Sequence, residues 1–168
     1  VVDGYGGTDI ISTVAVVQNT DPAIGTVSIT PSEITSESLL SCEATGTDIN
    51  DGELQASYVW TNTTTGNQLG EEATVQLTTD NASPNDVITC VATVTDGNEG
   101  TASSQSTINV GNISPVFDSE VSITPNTEVK TGAELLCAAV GSDADDGELD
   151  VVYSWTVNGL EVGNEDVY

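Results

Sequence analysis

The feature that most constrains this 168-residue chain is that it repeats itself. Ser28-Ile29-Thr30-Pro31 returns 94 residues later as Ser122-Ile123-Thr124-Pro125. Leu40-Ser41-Cys42 returns as Leu135-Leu136-Cys137, and Tyr58-Val59-Trp60 as Tyr153-Ser154-Trp155, each 95 residues on. The opening of the chain matches a later stretch in the same way. Val2-Asp3-Gly4 aligns with Thr95-Asp96-Gly97, and Asn19 to Pro22 with Asn112 to Pro115, 93 residues on. A fixed period of this kind marks one supersecondary unit used in series. It divides the chain into residues 1–22, the closing strand or strands of one unit; 23–112, a complete unit; and 113–168, the first half of the next. Both ends then fall inside units, so Val14 to Val17 and Val151 to Trp155 are expected to be covered by neighbouring copies or by further chain. At the 95-residue offset, Tyr168 corresponds to position 73.

Inside the complete unit, apolar residues alternate with polar ones. Leu40, Cys42 and Ala44; Ala56, Tyr58 and Trp60; Ala73, Val75 and Leu77; Ile88, Cys90, Ala92 and Val94; and Ile108 and Val110 each read as a half-buried strand. The stretches between them, such as Thr47 to Gly52, Asn62 to Gly66, Asp80 to Asp86 and Asp96 to Gly100, carry turn residues. No segment has helical spacing. About seven short strands, with Cys42, Trp60 and Cys90 in that order, predict an all-β chain of antiparallel two-sheet sandwiches whose disulfide packs on the tryptophan. A Cys42–Cys90 bridge is favoured over two free core thiols. The alternation also places Tyr58, Trp60, Tyr153 and Trp155 in cores rather than on a sugar-binding platform.

These residues resemble immunoglobulin-like and PKD- or cadherin-like repeats of large bacterial and archaeal cell-surface proteins. The resemblance is carried by the linker Ile108 to Phe117, by the Asp-rich loops ending Asp51-Gly52 and Asp146-Gly147, and by the hairpin Val94-Thr95-Asp96-Gly97. It departs at Ile88, where antibody-type domains place a tyrosine, and in a linker with fewer acids than the cadherin pattern. What it implies is a row of tandem immunoglobulin-like sandwich repeats of about 94 residues, extracellular, on a cell surface or in a secreted filament.

Charge narrows the partners. Asp and Glu number 27 against one basic residue, and the net charge is -26. Nucleic acids and anionic lipid surfaces are bound through Lys and Arg, so both classes are excluded as expected partners. No apolar run approaches the ~18 residues of a membrane-spanning helix, so no direct membrane insertion is expected. Self-repulsion of this size calls for screening salt or bound cations. A disulfide belongs to an oxidising compartment, and Asn62, Asn81 and Asn112 open N-glycosylation sequons.

The strongest chemical signal is a pair of corresponding loops, Asp48-Ile49-Asn50-Asp51-Gly52 and Asp143-Ala144-Asp145-Asp146-Gly147. Ca²⁺ takes six to eight oxygen ligands, and alternate Asp and Asn side chains on a tight glycine turn can converge several of them. The sandwich topology brings Asp96 beside Asp48, Asn50 and Asp51, and the incoming linker adds Asn19 and Asp21. The next junction joins Asn112 to Asp143, Asp145 and Asp146. Calcium there would stiffen unit against unit. Turn formation alone also accounts for these residue types, and both readings stand at this point. There is no histidine, and no Ser or Cys has an activating partner, so an enzyme is not expected. The expected function is a structural or adhesive repeat of a stalk or filament. Its partners would be neighbouring repeats or identical subunits, with another cell surface or a glycan as the adhesive target. The alternative is a carbohydrate-binding or spacer module of a secreted hydrolase.

Overall fold

The computed structural model describes residues 1–168, and every regular element in it is a strand. Residues 23–112 hold eleven: β1 (Ala23–Ile24), β2 (Ser28–Thr30), β3 (Ile34–Thr35), β4 (Leu39–Glu43), β5 (Gly46–Asp48), β6 (Gly52–Leu54), β7 (Ala56–Asn62), β8 (Asn67–Gly70), β9 (Thr74–Gln76), β10 (Val87–Thr95) and β11 (Thr101–Gly111). They form a five-stranded sheet in the order β3-β11-β10-β7-β8, a three-stranded sheet β2-β4-β9 and a small sheet β1-β5-β6. All pairings are antiparallel except β11 with β3. The arrangement is compatible with a β-sandwich.

The alternating residues decide which face is covered. Leu40 and Cys42 from β4, Val75 from β9, Trp60 from β7, and Ile88, Cys90 and Ala92 from β10 all turn into one core. Trp60, Leu40, Leu77 and Ile88 are fully buried, each contributing about 1.5–3 kcal/mol or more by area removed from water. Cys42 and Cys90 are joined across the two larger sheets. The indole of Trp60 packs into the same cluster and donates its Nε1–H to Glu72 O at 2.9 Å, which satisfies its one polar atom. Gly46 cannot be larger, because a Cβ there would run into the side chain of Val94.

Residues 113–168 carry a shorter set in the same order: β12 (Val116–Phe117), β13 (Ser122–Thr124), β14 (Leu136–Ala138), β15 (Gly141–Asp143), β16 (Gly147–Leu149), β17 (Trp155–Val157) and β18 (Leu160–Gly163). The sheet β12-β15-β16 has the pairing of β1-β5-β6, β13-β14 that of β2-β4, and β17-β18 that of β7-β8. Residues 113–168 hold no strand matching β3, β9, β10 or β11, the place of β9 being marked by the single Leu136–Val167 bridge, and the positions matching the core are less covered. Trp155 and Cys137 are half-buried where Trp60 and Cys42 are sealed. Trp155 stacks on Tyr168 at 5.7 Å between ring centroids.

The register differs from the 95-residue count. Asn62 and Asn67 close the β7–β8 turn, whereas Val157 and Leu160 close a β17–β18 turn two residues shorter. Cys42 N donates to Ala73 O and Cys137 N to Asp166 O, so Tyr168 corresponds to Val75 rather than to position 73.

Residues 1–22 form no sheet strand. Val2 and Thr8 make one bridge, and Val14, Val16 and Val17 are exposed. The strand expected there is not formed.

Candidate functional site

The acidic loops sit beside the stretches that lead into residues 23–112 and 113–168, and the small sheets put them there. β1 pairs with β5, and β5 turns directly into β6. The linker 19–22 therefore arrives beside the Asp48–Gly52 turn. Asp48 Oδ1 accepts from Asn50 N at 2.6 Å and Asp51 N at 3.0 Å, and Gly52 supplies the left-handed residue with φ 81°. The second loop repeats this. Asp143 Oδ1 accepts from Asp145 N at 2.7 Å and Asp146 N at 3.3 Å, with Gly147 at φ 79°. Both leading aspartates are buried. One task of each is thus to fold its own turn.

At the first junction the predicted residues come together in part. Asp96 Oδ1 accepts from Asn98 N and Gly100 N, and its Oδ2 accepts from Asn19 Nδ2 at 2.8 Å. The Asn19 amide, then these backbone donors, hold the Asp96 carboxyl below the usual carboxylate range, with burial acting against them. Asn98 Nδ2 donates back to Asn19 Oδ1, Thr20 N to Asn50 Oδ1, and Gly97 N to Asp51 Oδ2 at 3.2 Å. Asp21 is exposed. The oxygen left over is Asp48 Oδ2, which is buried and has no hydrogen-bond partner. All donors at this junction are hard oxygens, and an ionised carboxylate oxygen buried without a partner is a costly group that a cation would satisfy. Oxygen donors are the ligand type that Ca²⁺ takes. The side chains do not form a ready-made cage of three or more acids.

The second junction is built differently. Asp145 accepts from Ile113 N at 2.7 Å and from the hydroxyl of Ser36, 109 residues earlier. Ser36 is fully buried. Asp146 is exposed, and Asn112 turns its amide onto Ile113 O.

Three residues of consequence lay outside the sequence reading. Ser36 carried no signal, being one hydroxyl among many. Asp3 had one, its alignment with Asp96, and the structure gives it the same turn: Asp3 Oδ1 accepts from Tyr5 N and Gly7 N. The Gly7 N–H, then that of Tyr5, lower its carboxyl from the ordinary value. Asp86 is buried and accepts from Asn62 Nδ2 at 2.7 Å. Asn62 is itself fully buried, with its amide also donating to Asn81 O. Asn81 is half-buried and Asn112 exposed.

No family model, curated protein or solved structure matches this chain.

Proposed function

We propose that this chain is a segment of tandem immunoglobulin-like repeats from an extracellular stalk or filament, working as a stiff spacer or adhesive arm. The observation that carries this reading is Asp145. One carboxylate accepts from the linker backbone and from Ser36 of the preceding unit, so it ties successive units across their junction. The matching order of β1-β5-β6 and β12-β15-β16 supports a serial architecture, and the Cys42–Cys90 bridge supports an oxidising compartment. Calcium held by Asp48, Asn50, Asp51, Asp96 and Asn19 would neutralise charge at the entry to a unit. Asp143, Asp145, Asp146 and Asn112 would serve the next.

Residual dipolar couplings measured on the 168-residue chain test the reading. Residues 23–112 and 113–168 should share one alignment tensor, and Asp145→Ala should separate it into two. Two independent tensors in the unmutated chain, with and without calcium, would overturn the spacer function.

A further inference from the structure

The charge of this protein is unevenly placed. Not one residue of β3, β7, β8, β10 or β11 is charged, although the chain carries 27 acids. The five-stranded sheet is therefore an acid-free face on a molecule of net charge -26. Its outward residues lie in cross-strand rows. Ser103, Thr93 and Ser57 make one, Gln105, Val91 and Val59 the next, and Thr107 and Thr61 flank a third whose middle residue, Thr89, is buried. The burial alternation of β11 puts Ser103, Gln105 and Thr107 in solvent, and Val59 is 39% exposed. Tyr58 and Trp60 turn into the core, which leaves the face flat and without an aromatic platform for sugars.

We infer that this face is a lateral contact between two copies of the chain. Two molecules of this charge repel through any acid-bearing surface, and the loops place the acids at the ends of the sheet. Face-to-face approach of the neutral sheets keeps those acids apart while the hydroxyl rows and Val59 and Val91 meet. The 33 residues of the five strands, at about 4.8 Å between strands and about 3.3 Å along them, give roughly 500 Å² per partner, well below the ~800 Å² of a standard interface. A single contact is then weak, and repetition along an array multiplies it. The inference goes beyond the spacer reading and does not share its readout, because alignment of units within one chain is unaffected by contacts between chains.

Sedimentation velocity of the whole 168-residue chain across a salt series tests it. Screening shortens the reach of the end charges to about 8 Å at 0.15 M and about 3 Å at 1 M, so a reversible dimer should grow with salt. Gln105→Glu changes one atom of the side chain and sets two charges against each other in the paired faces, and it should weaken the dimer roughly tenfold or more. Gln18→Glu adds the same charge in the exposed leader and should leave the dimer unchanged. Retained melting temperature in Gln105→Glu confirms that the sheet is intact. A chain that stays monomeric at every salt concentration, or association that both variants weaken equally or neither weakens, overturns the inference. In the last case the contact lies elsewhere, as on the open sheets of residues 113–168.

Discussion

The side-chain amide of Asn19 donates to Oδ2 of Asp96 over 2.8 Å, tying the linker to the β10–β11 turn 77 residues away. This bond stabilises the ionised form of Asp96, whose folded pKa lies below its unfolded one. The contribution is complete above the unfolded value near 3.9 and is lost as the pH falls through the lower folded value. Carbon-detected titration should therefore give Asp96 a lower midpoint in the unmutated chain than in Asn19→Ala. Identical midpoints would mean that the linker does not rest on the turn.

Calcium should act through the oxygen that the turn leaves unpaired. With affinities in the range of roughly 10⁻⁴–10⁻³ M seen for extracellular modules, 10 mM Ca²⁺ would stabilise the unit by about 1.4–2.7 kcal/mol. Asp48→Asn keeps both turn hydrogen bonds to Oδ1 and removes the charge. It should abolish most of that increment in melting experiments. If neither chelation nor Asp48→Asn shifts the transition, the loops only make turns.

Cys42 and Cys90 are 48 residues apart, and the bridge between them should contribute about 4 kcal/mol through the unfolded chain. Replacing both by serine should lower the melting temperature of this unit by about 15–30 °C. In unfolded, unreduced protein, iodoacetamide should label Cys137 and neither of the other two.

The strands were legible because each has a wet face and a dry one, and a period of two is a strong pattern. Leu40, Trp60, Ile88 and Cys90 announced the core in this way, and the Cys42–Trp60–Cys90 order announced the bridge. Turn length was less legible. The two residues missing from the β17–β18 turn moved Tyr168 out of its counted register, since a hairpin loop changes length without disturbing the alternation on either side. The junctions were only half legible. Asp48 and Asp143 declared themselves by composition, but Ser36, which meets Asp145 from the far side of the linker, is fixed by how two units meet. The burial of Asn62 was illegible for a related reason. A sequon is a local string, whereas burial is set by Asp86 and Asn81 arriving from elsewhere.

That buried pair gives the last prediction. Asn62 Nδ2 donates to Asp86 Oδ2 and Asn81 O, while its Oδ1 accepts from Thr64 N and Thr65 N, so one side chain closes the turn after β7 and anchors the approach to β10. Asn62→Ala leaves Asp86 with the Ser83 N–H as its remaining donor, and a buried carboxylate losing a partner costs about 2–3 kcal/mol. Asn62→Asp should cost more at neutral pH, because it sets two carboxylates against each other in the core. Its deficit should shrink as the pH falls and one of them takes a proton. Chemical denaturation of both variants at pH 7 and pH 5 measures this directly. If the two are equally stable at pH 7, and the Asp variant gains nothing on acidification, Asn62 is not the clamp that the geometry describes.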